Sequence, residues 1–109
     1  MTPERLRSSQ AVRAVFATRR ASASAVAVVH ARRRSDARPS RVTVVAGKAL
    51  GAAVTRNRAK RRLRAALRAV SVPPGMDLVV VARDGALTAD FSVLCERLAA
   101  QLERLEAGR

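Results

Sequence analysis

Apolar positions along this chain change their spacing several times, and each change marks an element. In residues 8–18, Val12, Val15 and Phe16 recur at helical spacing behind Ser8 and Ser9, either of which can cap a helix. Residues 24–31 are β-branched and apolar enough for a strand. From Arg32 to Ser40 the pattern dissolves into arginines, Asp36 and Pro39, which predicts a loop. Apolar residues return over 41–46 as a second strand, and Gly47 and Gly51 then bracket a turn carrying Lys48. Next, Ala59, Leu63, Ala66, Leu67 and Val70 fall three or four apart, the apolar stripe of a helix with Thr55 near its cap. Val72-Pro73-Pro74-Gly75 stops that helix and forces a turn. Asp77 to Arg83 is a near-continuous apolar run, the pattern of a central strand covered on both faces. Thr88 or Asp90 caps a final helix whose Phe91, Leu94, Leu98, Leu102 and Leu105 form one stripe.

This order, α-β-β(-β)-α-β-α, buries its apolar faces only if helices pack on one sheet, so an α+β fold with a two-layer sandwich is expected. The chain has 109 residues and fits a single domain, 1–109, with one modest core. Residues 41–83 read as a β-α-β unit around the middle helix. There are no internal repeats and no low-complexity tail.

Charge changes the picture more than composition does. The formal charge is +14, and its distribution is lopsided. Residues 1–68 hold eighteen basic groups against Glu4 and Asp36, a net of +16, whereas residues 69–109 hold four against six acids, a net of −2. That asymmetry is the footprint of a nucleic-acid-binding surface on an ordinary scaffold. Nearly all the cations are arginine, which suits bidentate phosphate contact, although a codon-composition bias explains the scarcity of lysine equally well. The clustering stands under either explanation. Seven of the thirteen residues from Arg56 to Arg68 are basic and none is acidic. Arg56, Lys60, Arg64 and Arg68 lie four apart and form a cationic ridge beside the apolar stripe. Like charges at that spacing destabilise an isolated helix by a few tenths of a kcal/mol per pair, roughly. A helix that accepts this repeatedly is built to lie on phosphates.

Other classes recede. Cys95 is the only cysteine, so no internal disulfide and no cysteine-based metal site can form, and it reads as a small buried hydrophobe. No run approaches the ~20 apolar residues that span a bilayer. The Arg-, Ala- and Ser-rich start resembles a transit peptide in composition but also carries core residues, so the expected location is cytoplasmic. One histidine and scattered acids offer neither a nucleophile-base pair nor a protein metal cage, so no catalytic and no metal-ligating residues are expected. Asp77 reads as a capping or pairing group at a strand start. A stand-alone nuclease would need acids in the basic half. A DNA reader would need base-contacting side chains beside the cations, and only Asn57 is available.

The stretch Lys48-Ala-Leu-Gly51-Ala-Ala-Val54-Thr-Arg56-Asn57-Arg58-Ala-Lys60-Arg61-Arg-Leu-Arg64 resembles the signature of the bacterial ribonuclease P protein component. That family has a Ser-Lys-Lys turn, Gly-Asn-Ala-Val, then Arg-Asn-Arg and Lys-Arg. The strand from Asp77 to Arg83, the early helix with Phe16, the strand ending near His30 and the Arg41-Val42 strand start extend the likeness over nearly the whole chain. Three features depart from the pattern. The Ser-Lys-Lys turn reads Gly47-Lys48-Ala49, the usual Asn is Ala52, and two expected aromatics are Val12 and His30. The main rival is a small basic ribosomal or other structural RNA-binding protein, whose basic helices lack this motif order.

The resemblance implies an accessory subunit of a ribonucleoprotein endonuclease. Its RNA subunit removes the 5′ leader of precursor tRNA with magnesium that the RNA, not the protein, mainly holds. It also implies a left-handed β-α-β crossover, against the usual rule. The implied partners are the ribonuclease P RNA and precursor tRNA, with no membrane and no obligatory protein partner. Lys48, Arg56, Asn57, Arg58, Lys60, Arg61, Arg64 and Arg68 become the expected RNA contacts. Asn57, placed on the first helical turn, could equally be a capping side chain. Val12, Phe16 and His30 become the leader-binding candidates, with a core role for Phe16, a strand-end role for His30 and plain packing for Val12 as the alternatives. Arg32, Arg33 and Arg34 form a loop cluster for general electrostatic attraction.

Overall fold

The computed structural model describes residues 3–107; positions 1, 2, 108 and 109 of the expected 1–109 domain lie outside the described residues. The described residues form five strands and four α-helices, in the order β1 (Glu4–Arg5), α1 (Ser9–Ala17), β2 (Ala21–Ala23), β3 (Ala27–Arg33), β4 (Arg41–Val45), α2 (Ala53–Ala69), β5 (Met76–Ala82), α3 (Gly85–Thr88) and α4 (Phe91–Ala107). The strands form one sheet in the order β1-β4-β5-β3-β2. β4 is parallel to β1 and β5, whereas β3 is antiparallel to β5 and β2. β4, α2 and β5 make the expected β-α-β unit.

β5 lies at the centre, as its unbroken apolar run requires. Alternate side chains of a strand face opposite sides of the sheet. Leu78 and Val80 accordingly join the main core with Val29 of β3, Leu63 and Leu67 of α2, and Leu94, Leu98 and Leu102 of α4. Val79 faces the other way, into a smaller cluster with Leu6 and Val15. α2 and α4 thus cover one face of the sheet as the two-layer reading requires, and α1 covers part of the other.

Several local expectations shift. The apolar stretch 24–31 is strand only from Ala27 onward, because Ser24–Val26 form a turn between β2 and β3, in which the Ser24 hydroxyl accepts from Val26 N at 3.3 Å. Arg32 and Arg33 extend β3 rather than opening a loop. α1 starts as expected, with Ser8 as its cap accepting from Ala11 N at 3.3 Å. α2 does not start at Thr55: its N-cap is Ala52, which offers no side-chain acceptor, and Thr55 is the third helical residue. Ala is among the poorer N-cap residues, costing about 0.5–2 kcal/mol against Asn or Ser. Thr88 belongs to α3, a short helix that the sequence pattern does not announce, and Asp90 precedes α4 with its carbonyl accepting from Leu94 N at 2.9 Å. Cys95 is only half buried, packed against the edge of the main core.

Gly75 closes the Pro73-Pro74 turn at φ +83°, and a Cβ there would stand 2.7 Å from the Asp36 carbonyl oxygen. The 34–40 loop therefore lies directly on this turn. Gly75 N donates to Arg38 O at 2.8 Å and Arg34 N donates to Gly75 O at 2.7 Å.

Candidate nucleic-acid interface

The structure sorts the arginines into two populations that are indistinguishable in the sequence. One population is consumed by the fold. Arg20 and Arg33 donate to the carbonyls of Leu105 and Glu106, closing the open C-terminal end of α4. Arg62, one residue beyond the Lys60-Arg61 pair, donates to Ala86 O at 2.7 Å and to Ala89 O, tying α2 to α3. Arg34 and Arg41 converge on Asp77, whose side chain is wholly buried. Arg34 Nη1 lies 2.8 Å from Oδ1, Arg41 Nε 2.9 Å from Oδ1 and Arg41 Nη2 2.7 Å from Oδ2, with Arg32 at 3.9 Å. Burial pushes the Asp77 carboxyl up, but the hydrogen bonds and charges of Arg41 and Arg34 outweigh it and hold the group below the usual carboxylate range. Of the two roles expected for Asp77, pairing is the one realised. Arg34 also grips Asp36 at 2.9 Å, and that hydrogen bond holds the Asp36 carboxyl low. Of the expected Arg32–Arg34 cluster, then, Arg33 and Arg34 are structural cations and Arg32 is a distant third partner of Asp77.

The second population has no partner among the described residues. Arg56, Arg58, Lys60, Arg61, Arg64 and Arg68 project from α2 without an ion pair to any described acid. Ala59, Leu63, Ala66 and Leu67 anchor the helix, as its apolar stripe requires. A row of residues four apart drifts about 40° around the helix per step. The ridge therefore winds from Arg56, half buried beside the stripe, through Lys60 and Arg64 to Arg68 on the outer face. Arg58 and Arg61 are exposed on that outer side. Arg56 Nε is buried with no acceptor. Asn57 is exposed in the second turn, not the first, and caps nothing, so the capping alternative is removed. Lys48 is exposed in a 3₁₀ turn, Lys48–Leu50, directly before the helix.

The leader candidates gather on the opposite face of the sheet. Val15 pins α1 into the smaller core, and the Thr18 hydroxyl lies 2.8 Å from Ala31 O, fixing the helix end on β3. Phe16 thereby meets His30, with ring centroids 4.7 Å apart and planes at 62°, edge to face. Phe16 stays 43% exposed, so it is not a core residue, and His30 is half buried in mid-strand between Ala21 and Val79. Val12 packs beside Val15 and Val79, the packing role. The structure thus unites Phe16 with His30 and leaves Val12 as their support.

Among the described residues no three His, Cys, Asp or Glu side chains stand together as a metal site, and Asp77, the one fully buried acid, is occupied by arginines. The described donors therefore offer magnesium no clustered ligand set. Among the described residues no helix is long and apolar enough to cross a membrane.

Fold and charge define the class, a small α+β protein whose unpartnered cationic helix suits a polyanion. A family model described as Ribonuclease P matches residues 1–106. The chain belongs to the ribonuclease P protein family. It is 43% identical over 102 residues to the ribonuclease P protein component of Symbiobacterium thermophilum, covering 92% of this chain and 89% of that protein. Among solved structures, the RNase P protein from Thermotoga maritima superposes with TM-score 0.79 at 29% identity, covering 93% of this chain and 96% of that one. The Staphylococcus aureus RNase P protein shares the fold, with TM-score 0.77 at 22% identity over 96% and 97% of the two chains.

Proposed function

We propose that this chain is the protein subunit of the ribonuclease P ribonucleoprotein, acting as one RNA-binding domain over residues 1–109 in tRNA 5′ maturation. As a family member it is a component of a tRNA-processing enzyme complex rather than of a ribosome. Its partners in this reading are the ribonuclease P RNA and precursor tRNA, and its setting is the cytoplasm. The observation that supports it most is the set of α2 cations without intramolecular partners. The chemistry belongs to the RNA subunit and its magnesium, and no acidic cluster among the described residues competes for that ion. The protein's contribution is electrostatic: two RNAs and a charged cleavage site repel one another, and the cations of residues 1–68 that the fold leaves free, those of α2 above all, lower that cost by counterion release.

Lys48, Arg56, Asn57, Arg58, Lys60, Arg61, Arg64 and Arg68 hold the RNA subunit, and the Phe16–His30 pair receives the single-stranded leader. The test is cleavage of a precursor tRNA by ribonuclease P RNA from the same source at low magnesium, with and without the protein. Restored 5′ processing is the expected result, and tight RNA binding without restoration would reject the assignment. Phe16→Ala is expected to weaken precursor tRNA binding by about fivefold or more, the loss of one stacked base, and to leave mature tRNA unaffected. Equal losses for both tRNAs would remove Phe16 from the leader site.

A further inference from the structure

The ridge ends on a cavity that neither the motif nor the leader face accounts for. Between the C-terminal half of α2 and the β1 edge of the sheet lies a cleft of about 420 Å³, within the range of about 300–1,000 Å³ typical of small-molecule sites. Its apolar wall is Val42, Val44 and Leu67; Arg5, Arg64 and Arg68 flank it against a single acid, Glu4, so its rim is net cationic. Register puts Arg5 of β1 opposite Val42, so its side chain shares the sheet face that α2 covers, where Val42 and Val44 meet Leu67. None of the three arginines has an ion-pair partner among the described residues. Glu4 N donates to Ser40 O at 2.8 Å and Leu6 N to Val42 O at 2.9 Å. By strand alternation the amide and carbonyl of Arg5 then point outward from the sheet edge, a donor-acceptor pair with no partner among the described residues.

We infer that this cleft is a nucleotide-binding site that takes one unpaired nucleotide of an RNA strand lying along α2. Its base packs on Val42, Val44 and Leu67 and reaches the outward amide and carbonyl of Arg5, while its phosphate lies among Arg5, Arg64 and Arg68. Charge complementarity selects this occupant. Three free guanidiniums around an aliphatic wall suit a ligand with a flat apolar body and an anionic end. The single-stranded phosphodiester follows from the ridge, which delivers a strand to the mouth at Arg64 and Arg68. The inference rests on α2 as an RNA-binding helix, but it assigns a site away from the Phe16–His30 face.

The test titrates the full-length protein, with labelled Val and Leu methyl groups, with AMP, CMP and inorganic phosphate and follows methyl shifts by NMR. AMP or CMP is expected to move the Val42, Val44 and Leu67 methyls in a saturable way that inorganic phosphate does not reproduce. Arg5→Ala is expected to weaken that binding about tenfold, the loss of a charge-assisted contact. Arg83→Ala removes the same charge from an exposed position after β5 and is expected to leave it unchanged. Both replacements are at exposed surface positions, so folding is preserved in each. Identical shifts with inorganic phosphate, equal weakening by both variants, or unmoved methyls would each overturn the site. Low-magnesium cleavage in the same preparations separates the two readings. Restored cleavage with no nucleotide binding sinks the cleft alone, and nucleotide binding with no restored cleavage sinks the ribonuclease P assignment alone.

Discussion

Asp77→Asn is expected to lower the melting temperature by about 10 °C or more, a large loss for a substitution that preserves shape. The substitution removes the one carboxylate that Arg34 and Arg41 share, leaving Arg34 only the more exposed Asp36. Arg34 is itself nearly buried, with a side chain 10% exposed, so its guanidinium cannot recover full hydration when the carboxylate is lost. Breaking a buried pair by removing one partner costs about 3–5 kcal/mol. Arg41 and Arg32 are 38% and 44% exposed, and water screens their share, which places the loss near the lower end, about 3 kcal/mol. The consequences spread beyond β5, because Arg34 also binds the carbonyls of Met76, Arg38 and Pro39. Thermal unfolding followed by circular dichroism reads the shift, and a change of only a degree or two would show that the hub is dispensable.

Acid supplies an independent check of the same hub. The folded-state carboxyls of Asp77 and Asp36 are held below their ordinary values, so the folded state binds fewer protons than the unfolded chain. Their contribution is therefore complete at neutral pH, above the unfolded value. It is lost as pH falls below about 5 and on through the depressed folded values. In Asp77→Asn the Asp77 share of this acid loss is already absent. The stability gap between the two proteins is expected to narrow toward low pH, and a gap that widened would contradict the assignment.

The sequence reveals periodic features well and assigns partners poorly. The stripes of α2 and α4, the central position of β5 and the Ser8 cap of α1 are visible because burial imposes spacing on consecutive residues. The basic ridge is visible for the same reason. Hidden were contacts between residues far apart in the chain: Arg33 on Glu106, Arg20 on Leu105, Arg62 on Ala86, and three arginines on Asp77. An arginine that caps a helix and one that faces solvent have the same local neighbourhood in one dimension. Phe16 and His30 are separated by two turns and the short β2, so their edge-to-face contact needed the placement of α1 on β3. α3, four residues long, is too short to impose a period.

Replacing Arg56, Arg58 and Arg61 together with Ala is expected to weaken ribonuclease P RNA binding by up to about a hundredfold at moderate salt. Three contacts of up to about 1 kcal/mol each account for that range. The slope of log affinity against log salt should flatten by up to about 2–3 units, since each lost phosphate contact on a duplex releases roughly 0.9 fewer counterions. The structure isolates this prediction from folding. Arg58 and Arg61 are exposed, and truncating Arg56 removes a buried Nε that has no acceptor to lose. Stability should therefore stay within about 0.5 kcal/mol per site. Arg62→Ala supplies the opposite signature, because its guanidinium holds the Ala86 and Ala89 carbonyls and is not free to neutralise phosphate. The triple variant removes three charges and Arg62→Ala one, so the two are compared as the change in slope per charge removed. Filter binding over a salt series with both proteins decides the matter. If the triple variant kept the wild-type slope, the RNA would be lying elsewhere, and the unpartnered cations of α2 would be only a solvated face.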